Sequence, residues 1–396
     1  MQQDLGFSRH GRPPFWRDER ILAVLTQVIV VLVVAGVLYF LYSNLMAALR
    51  VRFSNPISFD FWDQTASFDI KESLIAYSRS STYGRAFVVG LLNTLLVAIL
   101  GIVFATIFGI LIGVMRLSSN FLVSRIAAIY VDLFRNIPLL LLLIFWSQAV
   151  FLKLPRVQEA VVLPGPIFLS QRGVAVPWGI PTAAWPLFLY TLLDGLVVAA
   201  VAGLILAQLS QRTRFKPIIS LWVVLIFLAV VVVRSLMIPA PLTMSYPELV
   251  GFNTRGGRVL SPELMAILSG LVIYTAAFIA EIVRSGIQAV AKGQREAASA
   301  LGLTSFQTLR LVIFPQALRI IIPPLTSQYL NLTKNSSLAI AVGYPDLFAV
   351  AGNTIRNQTG REIEVFLLVM GVYLTLSLIT SLLMNLYNRR IRLVER

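Results

Sequence analysis

The sequence predicts an all-α, polytopic membrane protein, and three observations carry that prediction. Hydrophobic residues make up 57% of the 396 and charged residues only 13%, against about 45–50% and 25% in an average soluble domain. The apolar residues stand in long blocks of roughly 20, the length that crosses a bilayer, rather than at amphipathic spacing. Arg and Lys, which bring the net charge to +15, gather in the polar segments between blocks.

Composition also excludes several kinds of function. No basic stripe carries interleaved stacking aromatics, so nucleic acid is not an expected partner. The chain has no Cys, which removes disulfides, thiolate nucleophiles and Cys-based metal sites. Its one His, His10, lies in a polar arm, so neither a His-clustered metal site nor a Ser-His-Asp triad can form.

Taken in order, residues 1–20 form a polar N-terminal arm with Arg9, Arg12, Arg17 and Arg20. The block Ile21–Leu41 outruns the apolar region of about 7–15 residues in a signal peptide and reads as an uncleaved accessory span. Residues 42–85 are a mixed polar loop containing Asp60, Trp62, Asp63, Asp69 and Glu72. The second block, Phe87–Met115, carries Gly109-x-x-x-Gly113, a spacing that lets helices approach closely. Arg116 and Arg125 bracket a short turn before the third block, Ile126–Phe151, which contains Pro138. Near its start Asp132 and Arg135 stand at i,i+3 spacing and are expected to neutralise each other.

Residues 152–185 are too frequently broken by Pro and Gly for a helix and read as loop. Blocks four (Trp185–Leu209) and five (Ile218–Met237) form a hairpin around the basic turn Gln211–Lys216, across which Asp194 and Arg234 could pair. The Pro- and Gly-rich loop 239–262 follows. Block six, Leu264–Ile282, holds Glu281, with Arg284 just beyond it; block seven runs from Ile320 to Ala341 with Pro323-Pro324 near its start. Block eight, Val365–Tyr387, leads to a basic tail. Eight crossings put both termini on one side. With the termini inside, the inner segments hold 18 Lys and Arg and the longer outer loops 12, so both ends are expected in the cytoplasm.

Between blocks six and seven lies a polar island, residues 293–315, GQREAASALGLTSFQTLRLVIFP. Its Ala-rich start favours a helix, and Gly302 suits the left-handed residue that ends one. Thr304-Ser305-Phe306-Gln307 reads as a capping box opening a second helix, which Pro315 should break or kink. Small side chains would let a partner's surface come close, with Arg295 and Glu296 supplying directional contacts.

The spacing Glu296-Ala297-Ala298, Gly302, Val312, Phe314, Pro315 resembles the EAA loop of permease subunits of bacterial ABC importers. Tyr274–Glu281 before it and Lys334–Leu338 after it strengthen the match, as do Gly90–Leu95 and Arg135–Pro138. Together these are similar to permeases for polar amino acids, above all the large general L-amino-acid type, over roughly 86–151 and 263–390. The resemblance implies a type I ABC importer permease core in two parts, 86–151 and 263–390. Residues 21–41 and the helix pair within 152–262 are then accessory, and residues 42–85 and the loops of 152–262 face the periplasm.

It further implies a non-catalytic subunit of the bacterial inner membrane, working beside a second, related or identical permease subunit. Two copies of an ABC ATPase would bind ATP and Mg below it, and a periplasmic amino-acid-binding protein would dock above. No G-x-x-x-x-G-K-[ST] occurs in this chain, as suits a separate membrane subunit with no cofactor of its own. The ATPase-coupling residues would be Gly293, Arg295, Glu296, Ala297, Ala298, Gly302 and Pro315. Candidate pathway residues are Asn93, Thr94, Arg135, Asn136, Glu281, Lys334, Asn335 and Ser336, since polar groups inside spans mark pathways. The alternative is an ion-coupled secondary transporter, which should show inverted repeats and a titratable intramembrane carboxylate.

Overall fold

A computed structural model describes residues 19–52, 57–212 and 219–391; residues 1–18 of the predicted arm 1–20, most of the basic turn 211–216 and the end of the tail, 392–396, lie outside the described residues. Its helices are α1 (Glu19–Arg52), α2 (Tyr83–Met115), α3 (Phe121–Asn136), α4 (Leu139–Phe145), α5 (Trp185–Arg212) and α6 (Ile219–Ser235). They continue with α7 (Pro262–Gln288), α8 (Lys292–Ala300), α9 (Ser305–Gln307), α10 (Phe314–Asn335), α11 (Arg356–Thr359) and α12 (Glu362–Ile391).

Among the described residues, six helical stretches are long and apolar enough to cross a membrane, or seven if one bent pair counts as a span, and α6 is a shorter apolar helix, so the expected eight crossings hold approximately. The third block is that bent pair: α3 and the stretch Leu139–Lys153 meet at 105°. Pro138 causes the break, because its ring drives Ile137 to an extended backbone (φ −90°, ψ 128°) and it offers no N–H to the helix. In the fifth block, α6 begins at Ile219, where the described residues resume.

The bundle is organised on α2 and α7. A stripe of small residues on α2, Gly101, Ala105, Gly109 and Gly113, faces its neighbours. A Cβ at Gly109 would stand 2.6 Å from the Ile279 side chain, and one at Gly113 2.7 Å from the Ala280 carbonyl. Only glycine permits that approach, which is why the helices pack so closely there. Thr106 Oγ1 and Tyr329 Oη, 2.8 Å apart, tie α2 to α10. By contrast, none of the apolar span of α1 is buried, and α5 and α6 pack chiefly on each other, with Asp194 and Arg234 paired as expected.

The segments read as loop contain eight short strands. β1 (Val161–Leu163), β2 (Ile167–Ser170), β3 (Gly173–Val176) and β8 (Arg258–Leu260) form one antiparallel sheet. β4 (Trp178–Pro181) pairs with β5 (Leu242–Ser245), and β6 (Glu248–Val250) with β7 (Asn253–Arg255). The β3–β8 and β4–β5 pairings reach across the α5–α6 insertion and clasp it at its base. Strands of three or four residues between prolines carry too little alternation to be read from sequence.

Candidate functional site

The island at 293–315 is a helix–turn–helix, built as its capping residues dictate. α8 ends in a Schellman turn: the Leu303 N–H donates to the Ala298 carbonyl (3.1 Å) and the Gly302 N–H to that of Ser299 (2.9 Å). Gly302 takes φ +73°, a conformation other residues adopt at a cost. Thr304 then caps the next helix. Its Oγ1 accepts from the Gln307 N–H (3.3 Å), while Gln307 Oε1 accepts from the Thr304 N–H (2.9 Å).

Gly293, Arg295, Glu296, Ala297, Gly302 and Pro315 are all exposed, whereas Ala298 is buried against the chain's own body. Two large apolar side chains that sequence reasoning passed over stand out at the turn, Leu301 at 81% and Phe306 at 69% exposure. An exposed Leu and Phe inside a polar island was the signal that could have found them. Pro315 neither breaks nor ends the second helix. A wide π turn, Thr308–Ile313, precedes it, and the helix runs on through α10 as one stretch, Ser305–Val342. The π turn rearranges the carbonyls that a proline ring would otherwise strike, so the expected break is absorbed.

Above the loop, ionic contacts join the core helices. Arg116, at the end of α2, pairs with Glu281 of α7, and Arg284 pairs with the same carboxylate (Nε–Oε2 3.2 Å). Arg135 does not pair with Asp132; its guanidinium stacks over the Phe278 ring at 5.3 Å, while Asn136 donates to the Asp132 backbone carbonyl (2.6 Å). A cavity of about 930 Å³, lined by Arg116, Gln288, Arg295 and Ser299 among others, separates α8 from the end of α2.

The remaining pathway candidates collect at the opposite end of the core. Asn93, 1% exposed, donates to the carbonyls of Glu72 and Pro345 (2.9 Å each). Thr94 accepts from the Leu347 N–H (2.9 Å). Ser336 is fully buried and donates to the Thr333 carbonyl (2.7 Å), Asn335 is half-buried and Lys334 is exposed. Beside them sits a residue the sequence reading did not single out: Asp346, fully buried, accepts from the Ala349 N–H (2.8 Å) and the Tyr373 hydroxyl (3.1 Å). Burial pushes its carboxyl up to about 7, against the pull of those donors. The structure thus divides the candidates into two clusters, Arg135, Asn136 and Glu281 near the loop and Asn93, Thr94 and Ser336 around Asp346.

Comparisons with known proteins agree with this architecture. The sequence profile of the family described as "Binding-protein-dependent transport system inner membrane component" matches residues 105–393. The general L-amino acid transport system permease protein AapQ of Rhizobium johnstonii is 45% identical over 96% of this chain and 94% of its own. The glutamate/glutamine/aspartate/asparagine transport system permease protein BztB of Rhodobacter capsulatus is 40% identical over 96% of each. The shorter glutamate/aspartate import permease protein GltK of Escherichia coli O6:H1 is 34% identical over 92% of its length but only 50% of this chain.

Proposed function

Because the chain belongs to the family of binding-protein-dependent transport system inner membrane components, we propose that it is the permease subunit of an ABC importer carrying polar or general L-amino acids from periplasm to cytoplasm. The observation that carries the reading is the capped, exposed helix–turn–helix at 293–315, which projects Glu296, Leu301 and Phe306 away from the bundle. Its rigidity matters. A slack loop would dissipate a partner's motion, whereas a turn closed by a Schellman motif and a capping box passes it to α10.

In this mechanism two copies of an ABC ATPase dock on the loops of this chain and of a second, related or identical permease subunit. ATP and Mg are bound in the ATPase and not here. ATP binding draws the loops together and opens the pathway outward, to a periplasmic amino-acid-binding protein; hydrolysis resets it. Both termini are cytoplasmic, as the Arg and Lys bias of the inner segments supports. Ala298 serves from within, holding α8 against the chain, while the exposed coupling residues meet the partner. Asn93, Thr94 and Ser336 act as a brace at the far end of the core, and Lys334 and Asn335 face the pathway between subunits.

An ion-coupled transporter would need inverted repeats and a free intramembrane carboxylate; Glu281 is held between Arg116 and Arg284, and Asp346 accepts from the Ala349 N–H and the Tyr373 hydroxyl. The test is Glu296→Lys in the complete transporter reconstituted in liposomes with binding protein and amino acid. Substrate-stimulated ATP hydrolysis should fall to the unstimulated level while the complex remains in the membrane. Full stimulation in the variant would remove the loop from the coupling path.

A further inference from the structure

A second concave site lies away from the coupling loop, between α2 and α7 beneath the β-sheets. It is a groove of about 620 Å³. One wall is Leu96, Leu100, Phe104 and Phe108 of α2, four residues at i,i+4 spacing and so on a single helix face. The other wall is the Leu264–Val272 stretch of α7. From Leu96 to Phe108 the groove follows twelve residues, about 18 Å of helix, close to one leaflet of a hydrocarbon core about 30 Å thick. Phe104 and Phe108 are 44% and 47% exposed, so the groove opens sideways rather than into the bundle.

Its upper end has a different chemistry. Arg258, on β8 just before α7 begins, stacks its guanidinium over the Trp178 ring at 4.6 Å. Both residues line the groove. Arg258 is half-buried and, among the described residues, has no ion pair or hydrogen bond, so its donors are uncommitted. A planar cation held by an indole suits a phosphodiester, which accepts two parallel hydrogen bonds. Trp is also the residue that settles at headgroup level. An apolar slot one leaflet long with a cation and an indole at its mouth matches a single class of ligand in shape and charge.

We propose that this groove is a binding site for an anionic glycerophospholipid, its acyl chain along the α2 face and its phosphate on Arg258. The α5–α6 insertion contributes through the strands at its base, since β4 brings Trp178 and β8 brings Arg258. The bound lipid would fill the lateral opening of the core and join it to the β-sheets. The proposal does not depend on which substrate is carried.

The test uses the complete transporter in nanodiscs doped with phosphatidylglycerol bearing a diazirine on its acyl chain, with a phosphatidylcholine probe as the uncharged-headgroup arm. Photolabelling of α2 and α7 peptides is read against α1, none of whose apolar span is buried by the rest of the chain. Groove peptides should be enriched over α1 with phosphatidylglycerol and less so with phosphatidylcholine. Loss of a charge-assisted hydrogen bond should cut the enrichment about tenfold in Arg258→Ala, and Arg258→Lys, which keeps the charge but not the planar fork, should fall between Ala and the parent. Ser269→Trp, which fills the groove, should abolish it. Labelling no higher than on α1, or unchanged in Arg258→Ala, would overturn the proposal. So would photocrosslinking to a neighbouring subunit by a benzophenone maleimide attached at Phe104→Cys, a unique thiol in a chain without native cysteine, because protein and not lipid would then cover the groove.

Discussion

α1 and α2 differ by one residue in length, 34 against 33, and each holds an apolar span of more than 25 residues, Leu22–Ala48 and Tyr83–Met115, yet they hold opposite places in the molecule. No part of the apolar span of α1 is buried, whereas α2 packs on α3, α7, α10 and the segment around Leu347. Hydrophobicity does not separate them. The difference lies in the spacing of the small residues: α2 has Gly or Ala four apart at 101, 105, 109 and 113, while Ala23, Ala35, Gly36, Ala47 and Ala48 of α1 form no such row, and nothing lies within 4 Å of where a Cβ on Gly36 would be. In lipid there is no hydrophobic gain in bringing two apolar helices together, so close fit and polar links decide which ones associate. Apolar length places a helix in the membrane; small side chains give it neighbours.

The largest effect that could break this comparison is Gly109→Leu. Its side chain would meet Ile279 and the Ala276 carbonyl, and overpacking of that kind costs about 1–3 kcal/mol or more. Thermal unfolding of the purified transporter should show a lower midpoint, with reduced yield. A variant as stable as the parent would mean the glycine stripe does not hold α2 to α7.

Asp346→Asn sharpens the picture at the other end of α2, and its effect depends on pH. Asp346 titrates near 7 in the folded protein, well above the ordinary 3.8. The folded state therefore holds a proton that the unfolded chain has released between those values. Stability from this group is complete below about pH 4 and is lost as pH rises through about 7. The Asn variant, neutral throughout, should lose that slope between pH 4 and 7 in unfolding midpoints. An unchanged slope would assign the pH dependence to other groups.

Smallest of all should be Gly36→Leu in α1. With open space around it, a midpoint within about 0.5 kcal/mol of the parent is expected, as for surface substitutions generally. A loss comparable to that of Gly109→Leu would reveal a close partner for α1.

Much of this was legible in the sequence, for identifiable reasons. Every apolar block became helix, because runs of that length leave the backbone no other way to satisfy itself in lipid. The Schellman turn at Gly302 and the capping box at Thr304 were readable because capping is local chemistry, settled within four residues. What was missed depends on distant contacts or on geometry. Pro138 and Pro315 look alike in the sequence, yet one splits a helix at 105° and the other is absorbed by a π turn. Asp132 and Arg135 have the spacing of a pair, but Phe278, from another helix, takes the guanidinium. Asp346 carried no signal at all, since its burial is created by Tyr373 and the turn that follows it.

The absorbed proline has a mechanical consequence. The helical stretch Ser305–Val342 is held against α7 at Ala317 and Ile321, where Gly286 lets Ile321 sit close enough that even a Cβ there would lie 2.4 Å from it. From Phe306 to Ala317 is about 16 Å of helix, and from Ala317 to Ser336 about 28 Å. On the coupling role proposed above, a tilt of the stretch about that contact would carry with it Tyr329, which Thr106 ties to α2. Ser336, beside the Asp346 node, stands about 1.7 times as far from that contact as Phe306 does, at 1.5 Å rise per residue. A displacement applied to the loop would thus act on α2 and on the far end of the core together.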